Sequence, residues 1–202
     1  MLAIIMAGGD GNRWELPTPK EVAPILGEPV VRRTVRMLRE RGIEPVVASH
    51  KLAVAQAVNG ARMIGERRRF YLSHADNLQP KWEPRNAILL GDVAYTDQAL
   101  DTILAAPAPI WWFGRCPAMF AMVWQDTPRT REVIHRTVID AFHCKGKRQG
   151  RTIAVYWQWR DRRSGHWSQV RPDFTVIRDE TGDMDYVRSW RLVAGRFERM
   201  AW

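Results

Sequence analysis

The sequence predicts an α/β domain built on a mainly parallel sheet, and three observations carry that prediction. Leu2-Ala3-Ile4-Ile5-Met6-Ala7 is apolar throughout and stops at Gly8-Gly9-Asp10-Gly11, as a strand buried on both faces does when it ends at a turn. Short apolar runs then alternate along the chain with segments of helical period, the pattern of strands joined by crossover helices. A later run, Ala87-Ile88-Leu89-Leu90, passes straight into Gly91-Asp92 and repeats the strand-then-glycine arrangement.

Taken in order, the first strand (2–7) leads into a Pro/Gly-rich loop reaching Glu28. Pro29 stands where a helix begins, Val31, Val35 and Leu38 share one face of it, and Gly42 closes it in a left-handed cap. Pro45-Val46-Val47-Ala48 reads as a strand and residues 52–58 as a helix closed by Asn59-Gly60. After the strand at 87–90 come a helix over 97–106, strands at 110–113 and 119–124, and a helix from Thr127-Pro128 to about His143. Residues 145–151 read as a basic loop, 153–159 as an alternating strand, 160–165 as a turn, 174–177 as a last strand and 186–199 as a terminal helix.

Two hundred and two residues, 46% hydrophobic and 26% charged, fit one domain with a real core. Its longest apolar run is far short of the roughly 20 residues of a membrane span, and the N-terminal one is too short for a signal peptide. Cys116 and Cys144 alone form neither a disulfide framework nor a four-ligand zinc site. His143 beside Cys144 lacks further ligands, and the other histidines show no metal spacing. The expectation is a soluble protein of a reducing compartment, the cytoplasm, of unspecified oligomeric state.

A net charge of +9, nearly all from arginine, favours phosphorylated small molecules, nucleic acid or an anionic surface as partner. The ten tryptophans are scattered like core and rim residues rather than a base-stacking ladder.

The chemistry concentrates after the first strand. Glycines at 8, 9 and 11 let backbone N–H groups approach an anion. No Gly-Lys-Ser/Thr follows, so this is not a P-loop, and Trp14 stands where a dinucleotide fingerprint needs its third glycine. Leu16-Pro17-Thr18-Pro19-Lys20 stiffens the loop, which presents Arg13 and Lys20 to one site. That suits a triphosphate.

Gly8-Gly9-x-Gly11-x-Arg13, then Pro19-Lys20, then Pro24-Ile25-x-Gly27-x-Pro29, resembles the signature of nucleotidyltransferases that act on sugar phosphates and related phosphorylated alcohols. The short Arg13-to-Lys20 spacing is closer to compact members, similar to molybdenum-cofactor or phosphocholine nucleotidyltransferases. The resemblance implies a three-layer, Rossmann-like GT-A fold with a mainly parallel mixed sheet. It also implies one domain over 1–202, with a nucleotide- and metal-binding part (1–125) and an acceptor-side part (126–202) returning a second metal acid. Ala7, Gly8, Gly9, Gly11, Arg13 and Lys20 would bind the nucleotide, with Arg13, Lys20 and Asp92 catalytic and Mg²⁺ as cofactor.

Asp92 ends a buried strand, where a carboxylate is costly unless it meets a cation or a donor; the resemblance makes it a Mg²⁺ ligand, and capping a turn is the alternative. The second acid would come from Thr181-Gly182-Asp183-Met184-Asp185-Tyr186, where Asp183 or Asp185 could serve as metal ligand, Asp185 preferred because it precedes the aromatic, and helix capping is the alternative for both. Where the family often continues Pro-Glu-Asp, this chain has Val187-Arg188-Ser189.

Arg115, or the basic residues Lys145, Lys147, Arg148 and Arg151, would hold an anionic acceptor, and Arg160, Arg162 and Arg163 form a second cluster. Solvated faces are the commoner origin of such runs. The expected reaction is Mg²⁺-dependent transfer of a nucleoside monophosphate from a nucleoside triphosphate to a phosphorylated small molecule, releasing pyrophosphate. Two other classes compete: a GT-A glycosyltransferase using a nucleotide sugar, and a basic nucleic-acid-binding protein.

Overall fold

The computed structural model describes residues 1–58, 60–65, 72–107, 109–115, 118–143, 152–160 and 173–201. Cys116, Cys144, Lys145, Lys147, Arg148, Arg151, Arg162, Arg163, His166 and Asn59 lie outside them.

In chain order the elements are β1 (Leu2–Met6), a 3-10 turn (Lys20–Val22), the hairpin β2 (Pro24–Ile25) and β3 (Glu28–Pro29), α1 (Val30–Arg39), β4 (Val46–Ala48) and α2 (Leu52–Ala57). Then follow β5 (Arg62–Ile64), α3 (Leu72–Asn77), a second 3-10 turn (Gln79–Lys81), β6 (Arg85–Leu90), β7 (Val93–Ala94), α4 (Asp97–Leu104), β8 (Ile110–Arg115) and β9 (Ala118–Gln125). The chain continues through α5 (Pro128–His143), α6 (Thr152–Trp159), β10 (Phe174–Val176), β11 (Gly182–Asp183) and α7 (Val187–Met200).

Among the described residues, seven strands form one sheet in the order β10-β8-β9-β6-β1-β4-β5. β1 pairs in parallel with β4 and β6, β4 with β5 and β8 with β10, whereas β9 runs antiparallel between β6 and β8. The mixed, mainly parallel sheet expected from the sequence is therefore present. The period of two along β1 sends alternate residues to opposite faces. Ala3, Ile5 and Ala7 join Val31, Val35 and Leu38 of α1, Val54 of α2 and Leu100 and Ile103 of α4 in one core. Leu2, Ile4 and Met6 join Leu72 of α3, Ile134 and Val138 of α5 and Val155 and Tyr156 of α6 in another. Each fully buried Val, Leu or Ile contributes about 1.5–3 kcal/mol, so the three-layer arrangement follows from a sheet apolar on both faces.

Gly42 has φ +71° as the expected left-handed stop of α1. One expected element is corrected: residues 153–159 are helical, not a strand. Val155, Tyr156 and Trp157 are all buried in succession, which the expected alternating, half-exposed strand does not give and a wide helical face permits. Tyr156 stands edge-on to Trp112 of the sheet with ring centroids 5.0 Å apart. The sequence reading also passes over β5 and α3, and over the β7–β11 ladder that builds the site below. No helix among the described residues is long and apolar enough to cross a membrane.

Candidate active site

Because β9 alone opposes the other strands of the sheet, the carboxyl ends of β1, β4, β5, β6, β8 and β10 share one edge. Open α/β sheets bind ligands at that edge. Ala7 is fixed there: its N–H donates to the Ala48 carbonyl at 2.9 Å, and its carbonyl accepts from Ser49 Oγ at 2.8 Å. Gly8 to Gly11 then leave the core. The Trp14 indole N–H donates to the Thr18 carbonyl at 2.7 Å, and its ring stands edge-on to Trp190 of α7 at 6.2 Å. Trp190 in turn donates to the Pro24 carbonyl at 2.9 Å. Two tryptophans thus brace the loop whose stiffness the prolines already predict.

That brace delivers Arg13 and Lys20 to opposite exposures. The Arg13 side chain is 55% exposed, contacts Asp185 and lies over the Tyr186 ring, 5.2 Å from its centroid. Lys20, only 9% exposed, opens the first 3-10 turn. Its ammonium contacts Asp92 and donates to Asp185 Oδ1 at 2.7 Å. Burial works against the charged ammonium, but Asp92 and Asp185 outweigh it and hold Lys20 above the usual lysine value.

Asp92 follows β6 through a turn that admits only glycine before it. A Cβ on Gly91 would stand 2.8 Å from the Ala7 Cβ and 3.0 Å from the Met6 carbonyl oxygen, so β6 and β1 end in contact. The buried Tyr95 hydroxyl locks the turn from the other side, donating to the Phe120 carbonyl at 2.7 Å and accepting from the Leu90 N–H at 3.0 Å.

The remaining acids arrive from the far end of the chain. β11 pairs antiparallel with β7, Asp183 opposite Val93, and the Met184 N–H donates to the Asp92 carbonyl at 3.0 Å. A polar network holds this return. The Thr96 hydroxyl, which also caps α4, donates to the Asp179 carboxylate. Asp179 accepts from the Thr181 N–H at 2.8 Å, and Thr181 Oγ1 accepts from the Thr96 N–H at 3.0 Å.

The result is a cluster in which one carboxylate oxygen from each of Asp92, Asp183 and Asp185 lies within 4.8 Å of the others. Among the described residues, none donates a hydrogen bond to the buried Asp183 Oδ1. Burial, with Asp92 and Asp185 adding to it, pushes the Asp183 carboxyl up to about 7. An orphaned carboxylate oxygen inside an all-oxygen donor set fits a hard divalent cation. Three acids against two cations leave the cluster one negative charge in excess when all are ionised.

The structure thus brings Arg13, Lys20, Asp92, Asp183 and Asp185 together beside the loop of Ala7, Gly8, Gly9 and Gly11. Arg115 is engaged elsewhere: its Nε donates to the Ile177 carbonyl at 3.2 Å and a terminal nitrogen to the Asp179 carbonyl. Arg160 faces Asp173 at 3.4 Å. Sequence reasoning missed Thr96, Asp179 and Thr181, although Asp-x-Thr is a recognisable side-chain-to-backbone turn. It also missed an ion pair beside the site, in which Lys51 Nζ donates to both oxygens of Glu21 at 2.9 Å.

No family model matches the chain, and no curated protein does. Solved structures do. A protein from Bacillus anthracis described as a glucose-1-phosphate thymidylyltransferase superposes with a TM-score of 0.65 at 11% identity, over 98% of this chain and 99% of its own. The inositol-1-phosphate CTP transferase from T. maritima gives 0.63 at 13% identity, over 98% and 96%. HddC from Yersinia pseudotuberculosis gives 0.58 at 11% identity, over 97% and 99%. The fold is the one these proteins share.

Proposed function

We propose that this chain is a nucleotidyltransferase that moves a nucleoside monophosphate from a nucleoside triphosphate to a phosphorylated small molecule, a sugar phosphate or phospho-alcohol. The observation that carries the reading is the cluster itself: Lys20 bridging Asp92 and Asp185, with the donor-less Asp183 oxygen beside them. Its place at the carboxyl edge of the sheet, next to the glycine loop, supports it, as does the likeness to two proteins named for such transfers.

In this reading an acceptor phosphate oxygen attacks the α-phosphorus, and the bond from that phosphorus to the bridging oxygen of pyrophosphate breaks. An already anionic acceptor needs no general base, so positioning and charge neutralisation dominate. Gly8, Gly9 and Gly11 cradle the nucleotide. Lys20, held by two carboxylates, presents its ammonium to the α-phosphate, and the more exposed Arg13 meets the departing pyrophosphate. Asp92, Asp183 and Asp185 would hold Mg²⁺, which when bound supplies charge neutralisation between phosphate groups.

The test is thermal stabilisation by CTP, UTP, GTP, ATP and dTTP, each with and without Mg²⁺. A Mg²⁺-dependent rise in Tm with at least one triphosphate is expected. A rise only with nucleotide sugars, or only with oligonucleotides, would replace the reading with a glycosyl transfer or nucleic-acid one.

A further inference from the structure

Lys20 carries the proposed chemistry from a turn of only three residues, which by itself has little to hold it. Its next neighbour, Glu21, is 1% exposed. Burial raises the Glu21 carboxyl above the usual range while Lys51 pulls it back. The Lys51 ammonium meets both Glu21 oxygens at 2.9 Å, two hydrogen bonds that fix the carboxylate's orientation.

Lys51 immediately precedes α2. Its own N–H donates at 3.2 Å to Ser49 Oγ, the hydroxyl that donates to the Ala7 carbonyl. One chain of contacts therefore runs from the start of the glycine loop through Ser49 and Lys51 to Glu21, and from there along one peptide bond to Lys20. Neither Glu21 nor Lys51 belongs to the acidic cluster.

We infer that the Glu21–Lys51 pair is a positioning device that fixes Lys20 relative to the glycine loop, so that the two parts of the triphosphate site are set by one buried ion pair. The inference rests on the proposed triphosphate site and deepens it. Lys51 acts through Lys20 and does not touch the phosphate.

The experiment uses inorganic tripolyphosphate with Mg²⁺ as probe, which requires neither the base nor the acceptor to be known. Affinity is measured by titration calorimetry on wild type, Lys20→Ala, Lys51→Met, Lys51→Arg, Glu21→Gln and the double variant Lys20→Ala/Lys51→Met, each checked for folding by circular dichroism. Lys51→Met and Glu21→Gln are expected to weaken binding by about tenfold or more, the scale of one charge-assisted contact. Lys51→Arg, which can restore two parallel hydrogen bonds to Glu21, should stay within about threefold of wild type.

The double variant should bind no more weakly than Lys20→Ala alone, within about twofold, because the pair works through Lys20. If the two effects multiply, or if Lys51→Met binds like wild type while Lys20→Ala does not, the positioning role is overturned and the triphosphate site stands. If Lys20→Ala binds tripolyphosphate as wild type does, the triphosphate site fails and the positioning role fails with it. Should Lys51→Met not fold, Glu21→Gln and the Arg variant decide the matter.

Discussion

Asp92 and the Asp183–Asp185 return bring carboxylates to one cluster from two differently built supports. Asp92 stands on the end of a central strand, with Gly91 pressed against Ala7 and Tyr95 buried beneath. The return is a two-residue ladder tied down by Thr96, Asp179 and Thr181. The first acid rests on the packed end of the central sheet, and the others on directional hydrogen bonds and a smaller apolar cluster in which Met184 is buried with Val193 and Phe197 of α7. Damage to the first support should therefore cost folding and function together. Damage to the second should cost function first.

The largest expected effects sit where the two supports converge. Asp92→Ala and Lys20→Ala should each lose at least about 100-fold in pyrophosphate release once an acceptor is found, as for one lost transition-state contact. Near-normal turnover in either variant would remove that role. Gly91→Ala should destabilise by about 1–3 kcal/mol, since its methyl group enters occupied space and the backbone of β1 cannot retreat. A chemical denaturation series measures this, and an unchanged midpoint would show that the packed support is softer than described.

Thr96→Val sharpens the contrast. It removes the hydroxyl that caps α4 and meets Asp179, at about 1 kcal/mol for the cap, while displacing the acid-bearing return. Mg²⁺-dependent stabilisation by a triphosphate should fall more than Tm does. A loss of Tm with ligand response intact would mean that the network serves only the helix. The smallest effect belongs to a charged triad away from both supports. Arg36, between Glu28 and Glu40 with its side chain 44% exposed, should on mutation to Ala cost within about 1 kcal/mol and leave ligand response unchanged.

The difference between the supports also explains what the sequence revealed. A packed strand end leaves a written trace, an apolar run followed by Gly-Asp, so β1, β6 and Asp92 were readable at once. The glycine loop with Arg13 and Lys20 was readable because stiff, charged loops need particular residue types at short spacing. Thr96 and Thr181 meet across 85 residues of chain, and Glu21 and Lys51 across 30; neither contact leaves a period or a local pattern. β5 has three residues, too few for an alternation to stand out. α6 was misread because Val, Tyr and Trp are strand-favouring types, and their apolar run lacks the polar stripe that marks an ordinary surface helix. The buried setting of the Asp183 carboxylate was likewise beyond the sequence, since it exists only once β11 has paired with β7.

Asp92, Asp183 and Asp185 are proposed to form one divalent-cation site. Titration of the protein with Mn²⁺, followed by the loss of the free-ion paramagnetic resonance signal, tests it most directly. One bound ion per chain is expected, with affinity at least about tenfold weaker in Asp183→Asn than in wild type, as loss of one charged ligand implies. Equal affinity in the two proteins would contradict it.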